Sequence, residues 1–269
     1  MREFFGFGGY TRPAEGFLSW QHLTFVSAIM LVMIGMGVFL GKRNQSLTQQ
    51  QKNRVLVASA FLIDGFELFK IVLCCIRGND PWGWLYNLPL FLCSIQLIVI
   101  PVAAFSKGRL REAALDFVMI FGIAGAVLGT YGAGNNYGSY PVLGFDNVVS
   151  GITHGLAGFC SIYIAVSGMR SMKKQNILPV FGILVAFCVM AYVANILLDY
   201  NYMFLMAGDG TPYDIAYNLV NGNRVVYPMI VVGMFFVYIL GFYGTYFALE
   251  KARLHRKRAS LFAFSGSRK

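Results

Sequence analysis

The stretch "FLSWQHLTFVSAIMLVMIGMGVFL", Phe17 to Leu40, holds no Asp, Glu, Lys or Arg and is apolar at nearly every position after Thr24. A run of this length reaches across a ~30 Å hydrocarbon core at 1.5 Å rise per residue. It is too long for the apolar core of a signal peptide, and no small-residue cleavage site ends it. It therefore reads as a retained first membrane helix. The pattern repeats along the chain. Apolar runs at roughly 19–41, 53–76, 87–105, 113–131, 147–168, 177–199 and 226–249 are separated by polar breaks. The expectation is an all-α, polytopic bundle of seven transmembrane helices.

Composition agrees. Of 269 residues, 57% are hydrophobic and only 13% charged, too few charges for the surface of a soluble domain. No polar stretch is long enough to build a separate core. The expected organisation is an external interfacial segment at 1–18, a transmembrane domain at 19–249 and a basic cytoplasmic tail at 250–269. The net charge of +10 would suit nucleic acid if it formed a patch, but it falls in alternate loops. Lys42, Arg43, Lys52 and Arg54 lie after the first span. Lys107, Arg109 and Arg111 follow the third. Arg170, Lys173 and Lys174 follow the fifth, and Lys251, Arg253, Arg256, Lys257 and Arg258 the last. The opposite loops are poor in cations. The positive-inside rule then predicts an external N-terminus and a cytoplasmic C-terminus in a cell-membrane protein, with the basic loops against anionic lipid headgroups and no nucleic-acid partner. Trp20, Trp82, Trp84 and Tyr86 fall at predicted external helix ends, where amphipathic rings favour the interface.

Polar groups are expensive inside lipid and normally face the bundle interior. In the second span Asp64, Glu67, Lys70 and Cys74 share a stripe about 120° wide. This is either an ion network fixing helix packing or a carboxylate that serves a reaction or a permeating ion. The third span places Pro89, Cys93 and Gln96 on one face. The fifth aligns Ser150, His154 and Ser161, and the sixth Tyr192, Asn195 and Asp199. His22 stands near the external end of the first. Cys93 and His154 both fall ~10 Å inside the external boundary, which points to a shared cavity in the external half. Gly125 with Gly129, and Gly151 with Gly155, are small-xxx-small pairs that let helices approach closely.

Two chemistries fit these residues. Cysteine beside histidine is a nucleophile–base pair, in which imidazole takes the thiol proton and thiolate attacks an acyl carbon. Glu67 could orient the imidazole, and Gln96 or Asn195 could donate to an oxyanion. The other reading is a His22–His154–Glu67 metal set, which no HExxH or CxxC spacing supports. Cys74 and Cys75 are adjacent and poorly placed to bridge each other. Cys160 and Cys188 read as packing. No phosphate loop or nucleotide signature is present, so no cofactor is implied. No internal repeat of the kind that marks many transporters is visible.

Several stretches carry a resemblance. "SWQHL" at Ser19–Leu23, "FEL" at Phe66–Leu68, "LPLFLCSI" at Leu88–Ile95, "GIAGA" at Gly122–Ala126, "THG" at Thr153–Gly155, and Asn195 with "NYMFL" at Asn201–Leu205 together resemble the YwaF-like integral membrane proteins of bacteria. These are related to a eukaryotic transmembrane acyltransferase acting on ether phospholipids. The resemblance implies a seven-helix fold and, for the eukaryotic branch, cysteine-dependent acyl transfer. In that branch the cysteine directly follows the third-span proline with histidine next, where this chain has Leu90 and Phe91 and its cysteine, Cys93, lies one helical turn deeper. From the residues themselves, His154, Cys93 and Glu67 are the catalytic candidates of a lipid-directed acyltransferase or hydrolase. His22, Asp64, Gln96, Asn195, Asn201 and Tyr202 are the binding candidates, with a lipid or acyl donor as substrate. A small-molecule or ion transporter using the second-span stripe, or a non-catalytic accessory protein, are the alternatives.

Overall fold

The computed structural model describes residues 2–169 and 172–266, with side chains to His255. Arg170 and the side chains of Arg256, Lys257 and Arg258, counted above among the basic residues, lie outside the described part. The described residues form helices and turns only: α1 (Trp20–Arg43), α2 (Gln49–Gly78), α3 (Gln96–Phe105), α4 (Gly108–Tyr131), α5 (Gly134–Ser139), α6 (Phe145–Val166), α7 (Ile177–Leu198), α8 (Asp214–Leu219) and α9 (Val226–Gly266). Short 3-10 turns at Gly83–Asn87, Lys174–Asn176 and Tyr202–Phe204 punctuate the connections.

Each apolar run of the sequence is helical in whole or in part. Five helical segments, containing α1, α4, α6, α7 and α9, are long and apolar enough to cross a membrane. The two others differ for physical reasons. Helix α2 has the length, at 30 residues, but carries Asp64, Glu67 and Lys70 through its middle. Helix α3 is short. The run expected to be helical from residue 87 becomes so only at Gln96. Pro89 has no N–H to give, and it holds Leu88 extended, at φ −61° and ψ 147°. Ser94 Oγ then takes the Phe91 N–H at 3.0 Å and competes with the helical ladder. Cys93 consequently sits in the turn that leads into α3, not within a helix.

Sequence also sets the helix starts. Ser19 accepts the His22 N–H to cap α1, and Thr48 with Gln51 forms a reciprocal capping box on α2. Helices α4 and α6 are the centre of the bundle. Their apolar windows are 72% and 67% buried, against 22% for α1 and 28% for α7 and α9, which turn the remainder outward. Those outward faces carry Leu31, Phe39, Leu178, Leu197 and Val237, all exposed. Apolar faces of this extent belong against lipid.

Glycines set the helix spacing. A Cβ on Gly122 of α4 would fall 2.6 Å from the Ala157 carbonyl of α6. Gly37 and Gly41 of α1 receive Ile162 and Val166 of α6, while Gly151 and Gly155 of α6 receive Ile29 of α1. Close backbone approach through small residues supplies the dispersion contact that drives packing where lipid removes the hydrophobic effect.

Candidate functional site

Helix α6 presents His154 toward α4, and the turn before α3 brings Cys93 to the same place. Cys93 and His154 face adjacent turns of α4, at Gly125 and Gly129, close enough to interact electrostatically. His154 Nδ1 lies 2.6 Å from the Ser150 carbonyl oxygen, with Ser150 Oγ at 3.3 Å. A carbonyl can only accept, so Nδ1 carries the proton. In the neutral ring Nε2 then holds the lone pair. Nε2 is buried and has no hydrogen-bond partner.

Two glycines of α4 make this arrangement sterically possible. Gly129 faces the His154 ring so closely that any side chain there would overlap Nε2 and Cδ2. Gly125, one turn earlier, faces Cys93, with room for a methyl at 3.4 Å from its Cα. The small pair read from the sequence as a packing motif is thus the wall of the thiol–imidazole site.

The stripe on α2 is adjacent. Glu67 and Lys70 pair at 2.5 Å, and Lys70 is within electrostatic reach of His154. Asp64 is partly buried, with no ion pair among the described residues. Cys74 belongs to a different cluster, near the mouth of the bundle. Arg77 donates to both oxygens of Asp146, at 2.7 and 2.8 Å, and to the Phe5 carbonyl at 2.9 Å. Tyr10 donates to the same carboxylate at 2.6 Å. Burial and the Asp146 carboxylate push the Tyr10 phenol up to about 12. The N-terminal segment is thereby clasped to α2 and α6. Glu15 adds a second tie, accepting the Val142 N–H at 2.7 Å. That bond and the Arg12 guanidinium outweigh partial burial and hold its carboxyl below the usual range. Sequence reading missed this clasp, because the aromatic, glycine-rich segment has no periodicity to read.

The remaining candidates are engaged elsewhere. His22 is fully buried, accepts the Leu18 N–H at Nδ1 and donates from Nε2 to the Thr130 carbonyl, and stacks on Tyr137 at 3.9 Å. It has no ring nitrogen left for a metal, and no metal-binding cluster occurs among the described residues. Asn195 is buried with its whole carboxamide on the Tyr202 backbone, accepting at 2.6 Å and donating at 3.0 Å. Asn201 staples the loop to Ala207, Met206 and Asp209. Tyr202 reaches across to the Leu85 carbonyl at 2.5 Å and the Leu88 N–H at 3.3 Å, bracing the connection that leads to Cys93. Gln96 alone keeps a free amide: it is fully buried, and neither Nε2 nor Oε1 has a partner.

A helical, multi-pass membrane protein with a thiol–imidazole pair walled by glycines at its centre is the class these features define. Residues 17–249 match the TMEM164 family, and the chain belongs to it. No curated protein and no solved structure matches the chain.

Proposed function

We propose that this protein is a membrane-embedded acyltransferase or hydrolase acting on lipid esters, with Cys93 as nucleophile and His154 as general base. The observation that carries the reading is the placement of Cys93 and His154 side by side against Gly125 and Gly129 of α4, with Nδ1 of the imidazole fixed by the Ser150 carbonyl and Nε2 left without a partner. In this mechanism Nε2 takes the thiol proton as Sγ bonds to the ester carbonyl carbon. The carbonyl π pair moves to oxygen, then returns as the C–O bond breaks. The departing lyso-lipid alkoxide receives the proton from His154. An acceptor hydroxyl, from a lysophospholipid or water, then opens the thioester by the same steps in reverse. The Glu67–Lys70 pair steadies the field around the imidazole. In this reading α2 and the segment containing α3 also span the bilayer of the cell membrane, giving seven crossings. The N-terminus is external, and the basic loops and residues 250–269 are cytoplasmic.

The test is direct. Purified protein in phospholipid vesicles is denatured and Cys93 is examined by mass spectrometry for a thioester-linked acyl chain, alongside transfer to a labelled lysophospholipid. Acylation at Cys93, lost in Cys93→Ala and in His154→Gln, supports the reading. Transfer that persists in Cys93→Ala ends it. The partly buried, unpaired Asp64 on α2 favours a second reading, ion or solute passage along that stripe. Altered uptake with an unchanged lipid profile in a deletion strain would select it.

A further inference from the structure

We propose that Gln96, together with the backbone N–H groups of Cys93 and Ser94, forms the oxyanion-binding site for the acyl carbonyl; the inference rests on the acyl-transfer reading above. Three observations carry it. Gln96 is completely buried, yet both atoms of its carboxamide lack a partner. A buried amide without a partner is costly, so a fold that keeps one in its core holds it for a ligand or a reacting group. Second, Gln96 is the first residue of α3, one turn beyond Cys93, with its N–H bonded to the Cys93 carbonyl at 3.4 Å. The turn is helix-like, since the Ile95 N–H reaches the Phe91 carbonyl at 3.0 Å and the Leu97 N–H the Ser94 carbonyl at 3.0 Å. Residues three apart on such a turn share a face, so the orphaned amide stands on the side of the nucleophile.

Third, the N–H groups of Cys93 and Ser94 are the open donors at this helix start. No main-chain carbonyl of the described residues accepts them, and they belong to the nucleophile itself and to the residue that follows it. Free N–H groups on the nucleophilic residue and its neighbour are within reach of the oxygen of a carbonyl bonded to that sulfur. The positive end of α3 adds to their field. The other carboxamide considered for this role, Asn195, has both of its atoms bound to Tyr202. Among the two, only Gln96 has an N–H free to follow charge as it develops on the oxygen. When Sγ attacks, the carbonyl π electrons pass to oxygen, and the three N–H groups receive that oxyanion. When the C–O bond to the leaving alcohol breaks, the pair returns and the donors are released. The ligand is thus an ester carbonyl presented to α3 from the lipid, with its chain lying outside this polar cup.

Gln96→Met tests the assignment, since methionine matches the glutamine shape and removes the amide. Three quantities are read in phospholipid vesicles: acyl transfer to a labelled lysophospholipid, thermal stability, and the alkylation rate of Cys93 by iodoacetamide against pH. The assignment requires transfer to fall about 100-fold or more, mostly in kcat, with unchanged alkylation. It also requires a melting temperature equal to or above wild type, because an orphaned amide has been removed. Transfer within a few-fold of wild type overturns it. Lower stability overturns it too, because the amide would then have a partner in the fold. A parallel loss of alkylation would place Gln96 in thiolate formation and likewise overturn it. Failure of the acyl-transfer reading itself is distinguishable: wild type and Cys93→Ala would then transfer equally.

Discussion

Gly129 of α4 lies against the imidazole of His154 on α6 with no space for even a methyl group between them. The close approach has a chemical result. It holds the ring with Nδ1 against the Ser150 carbonyl and beside Cys93, which faces Gly125 one turn away on α4. Gly129→Ala should therefore act like a substitution in the site itself. The ring must move, and overpacking of this kind costs about 1–3 kcal/mol of stability. Displacing a base by ~1 Å is enough to lower turnover about 100-fold. Gly125→Ala is the internal control, because its methyl meets Cys93 at 3.4 Å, an ordinary contact. Thermal unfolding and acyl transfer measured on both variants should separate them. Equal behaviour would mean that α4 shifts freely and does not set the imidazole.

Asn195 should behave as a structural clamp. Both of its amide atoms serve the Tyr202 backbone, and Tyr202 in turn braces Leu85 and Leu88. Asn195→Ala leaves a buried N–H and a buried carbonyl unpaired, at about 1–3 kcal/mol for each group. The expected result is a lower melting temperature, with kcat within a few-fold of wild type under conditions where the variant stays folded. A large fall in kcat without loss of stability would move Asn195 into the chemistry.

Much of this arrangement is legible in the amino-acid sequence, and the gaps have physical causes. Apolar length located the helical elements. Helical phase together with depth selected Cys93 and His154, because a polar atom in lipid must turn inward. The conformation of residues 88–95 was harder to read. Pro89 and Ser94 act on the backbone while the hydrophobic pattern runs on unbroken. The glycine pairs announced close packing, but their partners depend on helix rotation, which spacing does not encode. Asn195, Asn201 and His22 look like binding groups from their chemistry. Their actual partners are mostly backbone groups, which every sequence has everywhere. Arg77 and Asp146 are 69 residues apart, and no local pattern joins them.

The orientation is tested by accessibility. Ser46 is exposed in the turn between α1 and α2, and Leu219 is exposed at the end of α8. Single cysteines at these positions, on a background lacking the five native cysteines, should label oppositely. A membrane-impermeant maleimide added to intact cells should reach Leu219→Cys and spare Ser46→Cys until the membrane is opened. The reverse result would place the basic loops outside and turn the thiol–imidazole site toward the inner leaflet.

The clasp at Arg77 makes a separate prediction. Asp146→Asn keeps the shape and removes the charge that two Arg77 nitrogens and the Tyr10 hydroxyl share. Breaking a largely buried ion pair from one side costs about 3 kcal/mol. Much of that loss should appear locally, because Arg77 also holds the Phe5 carbonyl. Brief chymotrypsin treatment should cut faster after the exposed Phe7 in this variant than in wild type, while the helices remain protected. Tyr10→Phe should show the same effect more weakly. Unchanged cleavage would mean that the aromatic contacts of Phe4 and Phe5 with Phe145 are sufficient to seat the segment.

Glu15 gives that segment a pH dependence whose sign can be worked out. Its carboxyl is held below the ordinary value of 4.5 in the folded protein, where partial burial is outweighed by the Val142 N–H and Arg12. A group with a depressed folded value binds fewer protons folded than unfolded. Its contribution is therefore fully present above about 4.5 and is lost as the pH falls through the lower, folded value. Tyr10 does not enter this window, because its phenol is pushed up to about 12 and stays protonated throughout. Hydrogen exchange at the Val142 amide reads the tie itself, since that N–H is the donor. Protection corrected for intrinsic exchange should be constant from neutral pH to about 5 and then decline as Glu15 protonates. Glu15→Gln should show weaker protection at neutral pH and a flat profile below it, as the amide oxygen still accepts but no longer titrates. A wild-type profile that is equally flat would assign the anchoring of residues 2–16 to Arg77 and the phenylalanines alone.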